Sequence, residues 1–254
     1  MIELKTLTGF LDKTLNLPAF SGDVSNNGLQ IEGDCKINRL LFAVDACQEV
    51  FDTAVEEDCD FIFVHHGLSW GGGLKRWTGI NGNRFRTLFA NGISLYAAHL
   101  PLDAHAIHGN NAVLADMIDL QNRQSFFEYD GVDIGFSGTL PVPGSLGEIA
   151  EKLGDILEVK PLLRGDENEI ISTCAIVSGG GGIDSVFAAA SAGCKLLITG
   201  EMEHIMHHPA KELGVSIISL GHYVSETTGV LAMQKLISET FEVETLFAEV
   251  PTGL

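Results

Sequence analysis

Twice along the chain, three short apolar runs alternate with helix-length segments, and this rhythm restricts the fold more than any other feature. The first set of runs is 40–44, 61–64 and 93–98, separated by amphipathic stretches at 48–57 and 84–91. The second set is 174–177, 195–198 and 216–219, with helical stretches at 184–192 and up to about residue 213. Runs of this length, rich in Val, Ile, Leu and Phe and bounded by Gly, Asn or Asp, predict buried strands. Strands that alternate with helices predict a parallel or mixed sheet. Ahead of the first set, Ile2, Leu4, Leu7, Phe10, Leu11 and Leu15 share one helical face, with Pro18 as a stop. Asn26 to Ile31 reads as a turn into a short strand. Between the sets, 126–169 has mixed character, with a strand ending at Thr139-Leu140-Pro141 and a helix over 145–157.

The two sets are related in their letters. Val50-Phe51, a small-residue helix, Cys59 and 61–64 leading to His65 parallel Val186-Phe187, a similar helix, Cys194 and 196–198 leading to Gly200-Glu201. Gly92-Ile93-Ser94 leads to His99 as Gly214-Val215-Ser216 leads to His222. Val113-Leu114-Ala115 matches Val230-Leu231-Ala232. The expected fold is therefore α/β, two duplicated halves with mixed sheets. The first half spans 1–124 and the second 125–254, with a C-terminal segment that packs back on the first half. A chain of 254 residues is long enough for two such domains.

Charge narrows the partners. With 34 acidic against 15 basic residues the formal charge is −19. Such a surface repels phosphate backbones and anionic bilayers, which argues against non-specific nucleic-acid or membrane binding. Every apolar run is strand-sized, so no membrane span is expected. Residues 1–5 lack a signal peptide's basic start and apolar core, which predicts a cytoplasmic protein. The five cysteines form no Cys-x-x-Cys pair and several sit in apolar runs, as small buried residues of a reducing compartment do.

The nine histidines fall into windows that follow predicted strands: His65 and His66; His99, His105 and His108; His204, His207 and His208; and His222. In open α/β sheets, sites form at the carboxyl ends of strands, where residues distant in sequence converge. Four residues past His99 is Asp103, and four past His222 is Glu226, at matching places in the repeat. Each has a plain alternative: Asp103 as a helix cap and Glu226 as an acid suited to a helix N-terminus. The units together point to metal. His65, His66, His222, Asp103 and Glu226, with His99 in reserve, offer more donors than one tetrahedral zinc needs. Two divalent ions about 3.5–4 Å apart would use them fully. A set without thiolate suits zinc, iron or manganese. The spacing leaves open a single metal with helpers around it. His105 and His108 are expected outside the coordination sphere.

Weaker signals follow. Gly179 to Gly182 is glycine-rich but lacks the Lys-Ser/Thr of a phosphate loop, so a wide turn or close packing is expected. Trp70, Trp77 and the glycines between them suggest a flap beside the His pair. His204 and His208, after Thr199-Gly200-Glu201, form either a polar helix face or, with Glu201, proton-transfer groups.

These residues also resemble a known family. Asn27-Gly28-Leu29-Gln30, His65-His66-Gly67, His99…Leu102-Asp103-Ala104, Thr199-Gly200-Glu201…His208 and Gly221-His222…Ser225-Glu226…Gly229 occur in the order seen in the Nif-three-like family. Its members are also known as GTP cyclohydrolase I type 2 homologues, or dinuclear metal-centre hexameric proteins. Leu100-Pro101 departs from the Thr-Asn pair usual there. The resemblance implies two intertwined α/β domains and a toroidal homohexamer. It implies metal pairs held by His65, His66, Asp103, His222 and Glu226. It also implies a hydrolase that opens the guanine ring of a nucleotide, with Glu201, His204 or His208 moving protons. A non-enzymatic metal-binding, metal-delivery or regulatory protein is the alternative expectation.

Overall fold

The structure is a computed structural model that describes residues 1–73 and 76–254. Leu74 and Lys75, in the middle of the expected Trp70–Trp77 flap, lie outside the described residues. In chain order the strands are β1 (Ile2–Glu3), β2 (Gly28–Ile31), β3 (Lys36–Ile37), β4 (Arg39–Asp45), β5 (Phe61–His66), β6 (Ser94–Ala97), β7 (Gln121–Tyr129), β8 (Val132–Ser145), β9 (Leu162–Arg164), β10 (Ile170–Val177), β11 (Leu196–Thr199), β12 (Ser216–Ser219) and β13 (Glu244–Phe247). The α-helices are α1 (Leu4–Thr14), α2 (Gln48–Glu56), α3 (Gly79–Ala90), α4 (Leu100–Asp103), α5 (Asn110–Met117), α6 (Leu146–Leu157), α7 (Gly182–Ser191), α8 (His207–Leu213) and α9 (His222–Thr240). The chain divides into two compact units, each drawn from two stretches: residues 1–102 with 230–250, and residues 103–229 with 251–254.

The first unit is built on a sheet of order β13-β4-β5-β6-β2, parallel except for β2. Period-2 alternation divides its residues between two buried faces. Leu41, Ala43, Ile62, Val64, Leu95 and Ala97 share a cluster with Val50, Phe51 and Ala54 of α2 and Phe85 and Leu88 of α3. On the other face Phe42, Phe63 and Tyr96 stack at 5.5 and 5.8 Å. Asp12 of α1 accepts the Tyr96 hydroxyl at 2.8 Å. Burying each such ring contributes about 1.5–3 kcal/mol, so both faces hold the strand ends in place. Helix α1 buries Leu4, Leu7 and Leu11 as the periodicity predicts, but it begins only at Leu4. Ile2 and Glu3 instead pair with Ile37 and Lys36.

The second unit carries a sheet of order β7-β8-β10-β11-β12-β9. Strands β10, β11 and β12 are parallel, and β9 closes the edge antiparallel to β12. The arrangement β4-β5-β6 with antiparallel β2 recurs as β10-β11-β12 with antiparallel β9, so the repeat seen in the letters is a repeat of topology. Strand β8 runs on to Ser145, past the end expected at Pro141. Pairing with β7 ends at Thr139, which faces Gln121, and the register with β10 shifts between Ile171 and Thr173. Pro141 and Pro143 therefore occupy places where a missing N–H breaks no regular ladder. Helix α6 starts with a reciprocal cap: Glu148 N–H donates to Ser145 Oγ (3.2 Å), and Ser145 N–H donates to Glu148 Oε2 (2.8 Å).

Candidate metal centre

In the first unit, three parallel strands deliver side chains to one end of the sheet. β4 ends on Asp45, β5 ends on His65-His66, and His99 lies two residues beyond β6. The ring centroids of His65 and His66 are 4.5 Å apart, and His99 is 5.3 and 5.7 Å from them. One ligand nitrogen from each of the three lies within 4.8 Å of the others. His65 is completely buried.

What orients these rings is the decisive feature. His65 Nδ1 lies 2.8 Å from Ala98 O, His66 Nδ1 2.9 Å from Asp45 Oδ1, and His99 Nδ1 2.9 Å from Asp23 Oδ1. None of these acceptors can donate, so Nδ1 is the protonated nitrogen of each ring, and in the neutral tautomer this leaves Nε2 with the lone pair a metal needs. Burial pushes the Asp23 carboxyl up, but hydrogen bonds from His99 and Asn27 outweigh it and hold the group below the usual carboxylate range. The Asn-Gly-Leu-Gln segment braces this end. Asn27 Nδ2 donates to Asp23 (2.7 Å), and Asn27 Oδ1 accepts the His99 N–H (2.7 Å). Gln30 Oε1 accepts the N–H groups of Leu68 and Ser69. A side chain at Gly67 would collide with the Gln30 amide, so that close approach requires glycine.

In the second unit the equivalent strand ends present carboxylates. Glu201 follows β11, and His222 follows β12 as the first residue of α9, with Glu226 one turn on. His222 Nδ1 donates to Glu201 Oε1 at 2.6 Å, and His222 Nε2 is 3.1 Å from Glu226 Oε1. The carboxylates draw a proton onto this imidazole. The Glu226 hydrogen bond leads, burial opposes it, and Glu201 adds to it, so the His222 pKa is pushed up to about 9. Two donors of one ion, each bonded at about 2.0–2.2 Å, also sit roughly 3 Å apart, so the same spacing suits a cation in place of the proton.

Asp103 completes this group. It is the last residue of α4, which corrects the helix-cap alternative: the next helix, α5, begins only at Asn110. Its Oδ1 accepts Asn110 Nδ2 (2.9 Å) and Ser178 Oγ (3.0 Å). Asp103 and Glu226 are 5% and 3% exposed, and they bring carboxylate oxygens within 4.8 Å of each other. Two carboxylates so close and so dry repel one another unless a cation or proton lies between them. Gly179, at φ +60°, sits directly against Glu226, and any side chain there would strike Oε1. Its carbonyl accepts the N–H groups of Gly200 and Glu201, both at 3.0 Å. The glycine run thus packs under the carboxylates, as its lack of phosphate-loop residues predicts.

The remaining sequence candidates are placed differently. His204 and His208 are exposed, on a 3-10 turn (His204–Met206) and on α8. His105 and His108 stack on each other at 5.2 Å, and His105 Nδ1 accepts the N–H groups of Ile107 and His108. Trp70 lies 5.1 Å from the His99 ring, edge-on, and donates Nε1–H to Gly67 O (2.8 Å). Trp77 stacks on Phe85 at 4.5 Å. Sequence reasoning missed Asp23 and Asp45. Asp45 could have been found, since it ends its strand as His65-His66 end the neighbouring one. Asp23 carries no such signal.

Known proteins share this architecture. The sequence model of the family Duf34/NIF3 (NGG1p interacting factor 3) matches residues 2–253. A relative from Archaeoglobus fulgidus, named GTP cyclohydrolase 1 type 2 homolog, is 44% identical over 253 residues, covering 100% of both chains. Among solved structures, protein ybgI, described as of unknown function, superposes with a TM-score of 0.91 at 33% identity over 99% of each chain. Protein TTHA1606 from Thermus thermophilus superposes with a TM-score of 0.89 at 36% identity over 100% of each chain.

Proposed function

The chain belongs to the Duf34/NIF3 family, and on that premise we propose that it is a metal-dependent hydrolase of a small nucleotide-like molecule. His65, His66, Asp103, His222 and Glu226 would hold two divalent ions per chain, zinc, iron or manganese. The observation that carries this reading is the shared orientation of the imidazoles. Four histidines at strand ends each have Nδ1 committed to an acceptor, which aims Nε2 as a ligand. The buried carboxylate pair supplies the negative charge that such ions offset. His99, oriented in the same way, is a further donor beside His65 and His66.

Held by these residues, such ions would supply Lewis-acid chemistry, activation of water near neutral pH and polarisation of a substrate group. The protein's own part is positional. Ala98 O, Asp45, Asp23 and Glu201 fix the rings, and Asn110 and Ser178 fix Asp103. Glu201 acts by holding His222, which leaves His204 and His208 as the groups to carry protons to and from substrate. The name of the Archaeoglobus fulgidus relative supports GTP as the first substrate to try. No helix among the described residues is long and apolar enough to cross a membrane. The family resemblance supports a homohexamer, which light scattering on the purified chain measures directly.

Elemental analysis of metal per chain, with circular dichroism as a folding control, tests the site. Glu226→Ala and Asp103→Ala should each lower metal content, and His65→Ala with His66→Ala should remove at least one ion. Wild-type content in both carboxylate variants refutes the ligand assignment. Metal-defined protein incubated with GTP and a panel of phosphate, amide and cyclic-amidine substrates tests the chemistry. Full metal without turnover on any of them points instead to metal delivery or regulation.

A further inference from the structure

On a chain of net charge −19, the second unit brings two cations, Arg164 and Lys211, to the lining of one cavity. A cavity of about 470 Å³ lies between β9 and α8, lined by Leu163, Arg164, Gly165, Asp166, His207 and Lys211. Arg164 is fixed there by Nε–H donating to His207 O at 3.2 Å. His207 is held below the ordinary imidazole range, first by desolvation and then by its neighbours Arg164, His208, Lys211 and His204. Asp166 is the acid that lines the cavity, and its Oδ1 already accepts the Asn168 N–H and side-chain amide.

The position of this cluster relates it to His222. Arg164 pairs with Ile217 of β12. From Ile217 the chain runs through Leu220 and Gly221 to His222, a path of at most about 17 Å at about 3.4 Å per residue. A second cavity, of about 700 Å³, is lined by Leu220 and Gly221 of that path together with Leu162, Glu201 and Tyr223. Its walls are largely apolar, with Met202, Leu220 and Val224 among them. That volume lies within the range of pockets that bury a small organic ligand.

We propose that the cavity between β9 and α8 anchors the phosphate chain of a nucleoside polyphosphate-like substrate, with Arg164 and Lys211 as counter-charges and the larger cavity receiving the body of the molecule. Guanidinium forks and lysine ammonium groups are the side chains that bind phosphate most strongly. Elsewhere the acidic surface would repel such a ligand, so a local cationic site decides where it docks. The substrate assignment rests on the hydrolase reading above; the anion site itself does not.

Calorimetric titration of the purified full-length chain with inorganic tripolyphosphate tests the site, run beside Lys211→Gln, Arg164→Gln, Arg164→Lys and Glu226→Ala. Lys211 is exposed on α8, so its replacement removes charge without disturbing the core. Binding should weaken about tenfold in Lys211→Gln and in Arg164→Gln. Arg164→Lys should fall between wild type and Arg164→Gln, and Glu226→Ala should bind as wild type does. Absence of binding to wild type overturns the proposal. So does binding that survives Lys211→Gln and Arg164→Gln but disappears in Glu226→Ala, because the anion would then sit on metal. Binding that depends on Arg164 and Lys211 in a chain that turns over no nucleotide upholds the anion site and removes the hydrolase reading alone.

Discussion

Replacing Glu201 by Gln tests whether the imidazoles are aimed by their Nδ1 partners. The Glu201 carboxylate accepts His222 Nδ1–H at 2.6 Å, a short charge-assisted bond. Its side chain is 44% exposed, so the isosteric change opens no cavity and leaves the core intact. Gln keeps a carbonyl acceptor but loses the charge that raises ligand basicity and fixes the ring. Removing such an orienting group typically costs 10–100-fold in metal affinity, roughly 1.4–2.8 kcal/mol. The expected order is therefore Glu226→Ala weaker than Glu201→Gln, and Glu201→Gln weaker than wild type. Asp45→Asn should repeat the effect through His66, whose Nδ1 it holds at 2.9 Å. The assay is competition for zinc against a chelator of known affinity, with circular dichroism to confirm folding. Metal affinities for Glu201→Gln and Asp45→Asn within twofold of wild type would refute the argument that these hydrogen bonds prepare the ligands.

Three further outcomes are expected. Gly179→Ala puts a side chain into the left-handed region and against Glu226 Oε1, so it should lose about 1–2 kcal/mol of stability on conformational grounds alone and bind less metal; urea denaturation and elemental analysis measure both. In the metal-free chain His222 has a raised pKa of about 9, so its imidazolium contributes stability fully below about pH 6.5, the unfolded value, and that contribution is lost as pH rises through 9. Thermal melts of metal-free wild type should fall across that window, and Glu226→Gln should flatten the fall. Burial pushes the Cys59 thiol up to about 11 and Cys174 well above its usual value, whereas Cys35 is exposed; iodoacetamide at pH 8 followed by mass spectrometry should label Cys35 and spare both buried thiols.

Much of this molecule is written locally. Apolar runs such as 40–44 and 61–64 became β4 and β5, because a strand buried on both faces must be apolar throughout. The related order of runs in the two halves became the shared topology of β4-β5-β6-β2 and β10-β11-β12-β9. His65, His66 and His222 could be singled out because strand ends are where open sheets build sites. Other features depended on the folded chain. Ile2 fits a helical face but pairs with Ile37 of β3, since a ladder partner outweighs a weak propensity at a helix end. Residues 244–247 pair with β4, some two hundred positions away, in a register that hydrophobic pattern alone does not select. The partners of the rings are the clearest case. Asp23 lies 76 positions from His99 and Asp45 lies 21 from His66, and neither separation has a helical or strand period. Which acceptor meets an imidazole nitrogen is decided by strand register and loop closure, and those are settled only when the sheet is assembled and its core is packed.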